Sequence, residues 1–394
     1  MRNVAVAGVG MTDVGMFPDS HPFDLGVQAI LEALADSRLD KSEIGALFST
    51  KTGYMVDNYM FVHQRMAEYL QIPTRSTAEV DCGGASSLVA LRHVAAEIAL
   101  GRIDAGLVFS SHWEFSTKYM IEHHAEEQHI LRLANGLYGS YDSRLGVLSP
   151  ISYYAMCQQR YMLECEVLPE QVASLPVVLR EFAAKNPHAM HKEALTIEGV
   201  LSSPVLCPPI RMLESCPLAH GAGAVVLASE EKARQVRDHP VMITGFGEAH
   251  DDAHFMPGVA DMSRFPAVRS SADEAYSAAG VGPDGIDVAE VYGAFAGPEL
   301  MCYEELGFFE RGEAPAAVEA GRTRIGGDVV INTSGGRLSL GHPAFATPLF
   351  EVFEITTQLR GEAGLRQVPG AKRGLVQAEH GMINGSVVLI MEAD

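Results

Sequence analysis

Short apolar runs alternate along the chain with stretches whose apolar residues recur every three or four positions. Strands are predicted at 4–8, 46–49, 78–81 and 105–110, with helices at 22–36, 57–70 and 86–100. Leu88, Leu91, Val94, Ala95 and Ile98 place one apolar face on the last of these helices. From about 114 to 213 the pattern changes to segments rich in His, Met and Tyr, with helices at 152–166 and 170–185. Strand character resumes at 223–228 and 241–246. The segments 271–279, 288–292 and 298–306, the region around His342, and 387–391 then repeat the opening scheme. Such a repeat implies two sheet domains packed through their helices.

Two glycine-rich turns carry the candidate chemistry. In Ala78-Glu79-Val80-Asp81-Cys82-Gly83-Gly84-Ala85-Ser86-Ser87, small residues surround a thiol where a strand feeds a helix. A cysteine at a helix N-terminus is expected to have a lowered pKa, because unpaired N–H groups and the helix dipole stabilise the thiolate. The second turn, Ile331-Asn332-Thr333-Ser334-Gly335-Gly336-Arg337-Leu338-Ser339-Leu340-Gly341-His342-Pro343, presents a histidine in the same way, ahead of Leu349, Val352, Phe353, Thr356 and Leu359. Cysteine and histidine together suffice for thiol catalysis, since imidazole accepts the thiol proton and later returns it.

These motifs resemble the thiolase superfamily over almost the whole chain, and above all the sterol-carrier-protein type. Asp81-Cys82-Gly83-Gly84-Ala85 and Gly341-His342-Pro343 match in order with two further stretches, 216–227 (Cys216-Pro217-Leu218-Ala219-His220-Gly221 onward) and 359–371 (Leu359-Arg360-Gly361-Glu362-Ala363-Gly364 onward). The resemblance implies an α/β fold of two similar βαβαβαββ halves in a five-layer αβαβα sandwich, with an inserted loop domain. The halves are expected at 1–113 plus 214–240 and at 241–394, with the loop domain, which covers the site and receives acyl-CoA, at 114–213.

Two departures from the family fall at acid–base positions. Sterol-carrier-type thiolases carry a His-Asp-Cys-Phe motif where this chain reads Tyr292-Gly293-Ala294-Phe295. Other thiolases place a second cysteine in a Cys-x-Gly motif near the C-terminus, where this chain reads Glu379-His380-Gly381-Met382-Ile383-Asn384-Gly385. A tyrosine at position 292 looks like the branch that works beside a small zinc-ribbon/OB-fold partner, whose members include aryl acyltransferases, a thiolase of anaerobic aromatic degradation and steroid side-chain aldolases. Tyr292 then donates to an enolate oxygen, moves a proton at the α-carbon if its pKa is lowered, or is only a packed aromatic. His380 and Glu379 in the C-terminal loop are further acid–base candidates, with a structural role the alternative. By resemblance the oxyanion donors are the N–H of Cys82 and one from the Gly381 to Gly385 turn.

Composition narrows the classes. The chain has 394 residues, 47% of them hydrophobic, enough for two or three domains. Its 29 Lys and Arg stand against 50 Asp and Glu, a net charge of −21 that disfavours a nucleic-acid partner. No stretch approaches the roughly 20 apolar residues of a membrane span, and the N-terminus enters a strand without a signal-peptide pattern. A cytoplasmic enzyme is expected. The six cysteines, Cys82, Cys157, Cys165, Cys207, Cys216 and Cys302, form no CxxC pair, so neither a disulfide framework nor a zinc site is indicated. Cys302 follows the tyrosine motif on a helix and reads as a packed thiol before it reads as a catalytic one. His112, His123, His124 and His129 lack the tight spacing of metal ligands. Gly8-Val9-Gly10 lacks the third glycine of a dinucleotide fingerprint.

The leading expectation is a C-acyltransferase that cleaves or forms the C–C bond of a β-ketoacyl-CoA through acyl-Cys82, with His342 as proton acceptor and coenzyme A as substrate. A bulky aromatic or steroid-derived acyl group fits the branch. The alternatives are a retro-aldol lyase acting on a β-hydroxyacyl-CoA with Tyr292 as acid–base, and a non-catalytic lipid or acyl-CoA scaffold. The family implies a homodimer. No residue is assigned to the coenzyme A phosphates.

Overall fold

The computed structural model describes residues 1–17, 19–52, 61–112, 150–251, 261–380 and 384–393. The first half contributes β1 (Val4–Met11), β2 (Ala46–Thr50), β3 (Ser76–Val80), β4 (Ala105–His112) and β5 (Gly221–Ser229). The second contributes β6 (Val241–His250), β7 (Val288–Val291), β8 (Val330–Ile331), β9 (Arg373–His380) and β10 (Gly385–Ala393). Strand order is β3-β2-β4-β5-β1 in the first half, and the second repeats it as β8-β7-β9-β10-β6. Directions repeat too. In each half the first three strands in that order run parallel and the last two pairings are antiparallel.

The halves are joined where the sequence suggests separate sheets. β1 and β6 pair antiparallel through Val4 with Ile243, Ala5 with Met242 and Val6 with Val241, giving one ten-stranded sheet. Helix α1 (Pro22–Ser37) covers the outer face of the first half and α5 (Pro266–Ala279) that of the second, while α2 (Ser86–Ala99) and α8 (Thr347–Arg360) meet between them. α8 touches strands of both halves, and for that reason it is buried on nearly every side. Helices α3 (Pro150–Glu164) and α4 (Pro169–Ala183) lie between the halves in sequence, and α6 (Ala296–Glu305) and the five-residue α7 (Gly336–Leu340) complete the elements around the site.

The repeat extends to single glycines. A Cβ on Gly8 or Gly10 of β1 would overlap the carbonyl oxygens of Ala33 and Ala29 on α1, and one on Gly245 or Gly247 of β6 would overlap those of Ala275 and Ser271 on α5. Glycine is therefore required for close approach of each outer helix, which accounts for Gly8 and Gly10 without a nucleotide. β1 also runs three residues beyond the predicted end, since Gly8 to Met11 stay paired with β5. β9 is missing from the strand pattern read above. Its Gly374 to Ala378, Gln377 included, are buried between β7 and β10, so this central strand shows no alternation of apolar and polar positions.

Candidate active site

Cys82 lies in the connection between β3 and α2, four residues before the helix begins at Ser86. Its N–H donates to Ser86 Oγ at 2.9 Å, and that hydroxyl donates to Gly83 O at 2.5 Å. The Cys82 N–H, expected to face an oxyanion, is thus engaged within its own turn. The expected pKa depression is also overturned. Burial, followed by the negative charges of Glu248 and Asp81, pushes the Cys82 thiol up to about 11. A helix dipole acts mainly over its first turn, and Cys82 stands outside it.

Gly84 brings this turn against the opposite wall. A Cβ there would lie 3.0 Å from Glu379 O and 3.8 Å from Cε2 of Tyr292, so the thiol turn approaches the Glu379 carbonyl and faces the Tyr292 ring. Tyr292 follows β7 and is 5% exposed, with its N–H donating to Gln377 Oε1 of β9 at 3.0 Å. Glu379 and Tyr154 lie beside its hydroxyl. Tyr154 of α3 donates to Glu379 Oε1 and packs on Phe295, with ring centroids 5.0 Å apart. Burial and the neighbouring Glu379 hold Tyr292 well above the ordinary phenol range, against a smaller opposite pull from Arg337. Tyr292 is thus held protonated at rest, and the lowered pKa that the sequence reading sets as a condition for its proton transfer is not found.

His342 sits between α7 and α8. The Gly335-Gly336 turn enters the short α7, so the histidine follows that helix and does not stand at the glycine turn as Cys82 does. Its Nδ1 is 3.0 Å from Thr347 Oγ1, which leaves Nε2 to act as a base when Nδ1 carries the proton. Burial, Arg337 and His112 hold its pKa well below the usual imidazole range. Cys82 thus rests as a thiol and His342 as a neutral imidazole.

The stretch Ser215 to Leu218 fixes the relation between these segments. Ser215 bridges Phe295, the Cys216 N–H donates to Ala294 O at 2.9 Å, and the His342 N–H donates to Pro217 O at 3.0 Å. One strap thereby holds the Tyr292-to-Phe295 turn and His342 at once. Asn332 clamps the strand below: its side chain accepts from the Val291 N–H at 2.7 Å and donates to Val291 O at 3.2 Å and Glu299 Oε1 at 2.6 Å. The carboxyl of Glu299 lies where a Cβ of Gly293 would be, which requires glycine after Tyr292.

Glu379 and His380 close β9 as paired strand residues, whereas the sequence reads as a loop. The His380 ring stacks on His250 of β6, with centroids 5.1 Å apart, and covers Gly385, where a Cβ would overlap it. Burial and then His250 lower its pKa, partly offset by Glu248, whose charge also acts on Cys82. Gly385 is the first residue of β10, while Gly381 lies outside the described residues, as do His123, His124 and His129. Cys302 is fully buried on α6 and burial raises its thiol well above the ordinary range, as befits a packed residue. All six cysteines are free. Among the described residues no group of three or more His, Cys, Asp or Glu is placed to hold a metal ion.

Comparison with known proteins follows the same lines. The Thiolase C-terminal domain-like family model matches residues 247–393. The acetyl-CoA acetyltransferase of Methanothermobacter thermautotrophicus is 32% identical over 383 residues, covering 95% of each chain. The chain belongs to the thiolase superfamily. Within the superfamily it is of the sterol-carrier-protein type. A second relative, the benzoylsuccinyl-CoA thiolase subunit BbsB of Thauera aromatica, is 29% identical, covering 94% of this chain and 93% of its own. Among solved structures the Ltp2-ChsH2(DUF35) aldolase superposes with a TM-score of 0.84 at 25% identity, covering 100% of this chain and 98% of that one. This thiolase-superfamily site thus has both acyltransferase and lyase relatives.

Sequence reasoning missed Tyr154 and passed over Arg337. Tyr154 carried no motif. Arg337 did carry a signal, since it is the one charge in the apolar run from Gly335 to Leu340.

Proposed function

We propose that this chain is an acyl-CoA C-acyltransferase that breaks or forms the C–C bond of a β-ketoacyl-CoA through an acyl-Cys82 intermediate. The approach of Gly84 to Glu379 and Tyr292 carries this reading, because it sets the thiol turn against a buried proton donor. In the cleaving direction Nε2 of His342 takes the Cys82 thiol proton as sulfur bonds to the β-carbonyl carbon. The Cα–Cβ bond then breaks, its electron pair passes to the thioester enolate, and the Tyr292 hydroxyl protonates the α-carbon. Glu379 and Tyr154 flank that hydroxyl. The acyl group stays on Cys82 as a thioester until coenzyme A thiol attacks it; His342 then returns its proton to the departing Cys82 sulfur, and the coenzyme A thiol proton passes to the Tyr292 oxygen. Oxyanion donors in this class of reaction are worth roughly 3 kcal/mol each, and the backbone from Gly381 to Gly385 is assigned that part. His380, at the place of the second cysteine, is assigned proton exchange with the entering or leaving thiol.

Intact-protein mass spectrometry tests this with aliphatic, aromatic and steroid β-keto- and β-hydroxyacyl-CoA. A substrate-dependent acyl adduct that is absent from Cys82→Ala is expected. A lyase reading is favoured by the Tyr292–Glu379 pair, which is complete without any thiol, and by the aldolase among the solved relatives. Product formed without an adduct, and surviving in Cys82→Ala, would establish that reading instead.

The chain is further proposed to act in the cytoplasm as a homodimer beside a small zinc-ribbon/OB-fold chain. The subunit naming of the Thauera relative and the two-component solved aldolase support the second chain. No described helix is long and apolar enough to cross a membrane. Co-purification from the native source that yields a homodimer alone would count against the partner.

A further inference from the structure

Arg337 is only 1% exposed, yet it is not absorbed by the fold in the ordinary way. Its Nε and Nη2 reach Glu351 Oε1 of α8 at 3.0 and 2.9 Å, which fixes the plane of the guanidinium. That plane lies over the Tyr292 ring, with Cζ 4.0 Å from the ring centroid. Nη1 and Nη2 have no hydrogen-bond partner among the described residues, Nη2 meeting Glu351 only as an ion pair. A buried ion pair is a poor means of stabilisation, and one with an unpaired N–H is poorer still, since apolar residues of equal volume often serve as well. The arrangement therefore calls for a reason other than stability. α7 supplies one, because it sets Arg337 on the face of Tyr292, four residues ahead of Gly341 and five ahead of His342.

We propose that Arg337 is a positioning residue for the C–C bond step, a single fixed cation that orients Tyr292. The inference rests on the acid–base role given to Tyr292 above. A cation over a desolvated ring attracts the electron density that builds on the phenol oxygen as its proton leaves. The same charge opposes protonation of His342 and keeps the imidazole a base. The groups facing Tyr292 are Arg337 from α7, Glu379 from β9 and Tyr154 from α3, and Arg337 is the cation among them. Those facing His342 are Arg337, His112 from β4 and the uncharged Thr347 from α8.

The test compares wild type, Tyr292→Phe, Arg337→Lys and the double variant Arg337→Met with Glu351→Gln, which removes both members of the ion pair and avoids an orphan carboxylate. Two rates are read over pH 5 to 9: thiolytic cleavage of acetoacetyl-CoA and benzoylacetyl-CoA, and exchange of the acetyl group between acetyl-CoA and a second thiol. Exchange uses Cys82 and His342 but breaks no C–C bond. The double variant is expected to remain folded and to lose about 30-fold in cleavage, the size of a desolvated cation–π contact. Exchange should change less than threefold on its pH plateau, while its acid limb moves to higher pH by about one unit. Site-specific 3-fluorotyrosine at position 292, a stronger acid, should recover most of the lost cleavage in that background.

A purely structural role would lower both rates together, leave the acid limb in place and give no rescue, and would overturn the proposal. Should Arg337→Lys misfold, the double variant still decides. Loss of cleavage in Tyr292→Phe with wild-type behaviour in both Arg337 variants would remove the role of Arg337 alone. Unchanged cleavage in Tyr292→Phe would remove the assignment of Tyr292, and the present proposal with it.

Discussion

The Tyr154 hydroxyl donates to Oε1 of Glu379 across 225 residues of sequence, tying helix α3 to the end of the central strand β9. Removing that donor leaves a buried carboxyl oxygen short of a partner, at a cost of about 1–3 kcal/mol. Tyr154→Phe should therefore lower the melting temperature by a few degrees. Since Glu379 also neighbours the Tyr292 hydroxyl, C–C cleavage should fall about tenfold, while acyl exchange at Cys82 is retained. Parallel assays of cleavage and thioester exchange check this; equal loss of both would place Tyr154 in the fold alone.

With its thiol pushed up to about 11, Cys82 should react slowly with iodoacetamide at neutral pH. The alkylation rate should rise about tenfold per pH unit between pH 7 and 10, because only the thiolate reacts. Peptide mapping by mass spectrometry follows Cys82 separately from the other five cysteines. A rate already level below pH 8 would indicate a resting thiolate–imidazolium pair and contradict the neutral state assigned here.

Burial raises Glu299 to about 7 from an ordinary 4.5, even though Tyr303 and Asn332 donate to its Oε1 at 2.5 and 2.6 Å. Between those two values the folded chain holds a proton that the unfolded chain has released. Its contribution is therefore complete below about pH 4.5 and is lost as pH rises through 7. The expected swing is about 3 kcal/mol at most. Glu299→Gln, which keeps the shape and removes the titration, should flatten denaturant-derived stability between pH 5 and 7. An unchanged pH dependence would mean that Glu299 is ionised in the fold.

A methyl group at position 385 has no space beside the His380 ring. Gly385→Ala should displace that ring from His250, and the imidazole should titrate closer to its ordinary range once it is freed from burial and from its neighbour. Histidine signals in NMR titrations of the variant, assigned through His380→Gln, measure the shift. If His380 exchanges protons with the thiol substrate, turnover falls in both variants; if turnover is unchanged in both, its role is confined to the hairpin.

Much of this molecule is legible in one dimension, and the reason is local. The two halves follow from hydrophobic periodicity, because a half-exposed helix such as α1 must show its apolar stripe. Cys82 stands out because it lies in a glycine-rich turn, where small residues are required whatever packs around them, and His342 because it sits in the Gly341-His342-Pro343 motif. Tyr292 is visible because a tyrosine occupies a place where the related proteins have histidine. Among the proton-handling residues, Arg337 and Glu379 were readable in part, the first as a charge in an apolar run and the second only as a neighbour of His380.

What the tertiary structure alone decided is the electrical state of the site. A thiol near a helix start looks activated in sequence, but its pKa answers to burial and to Glu248 and Asp81, of which Glu248 arrives from the other half of the chain. The Tyr154–Glu379–Tyr292 cluster and the Arg337 stack join three or more separate segments, and no spacing along the chain encodes such a meeting. The sequence by itself determined which residues could do chemistry and on which elements they stand, since those depend on neighbours a few positions away. Which groups hold protons, and which charges oppose one another, depends on desolvation and on distances through space, and only the folded chain sets these.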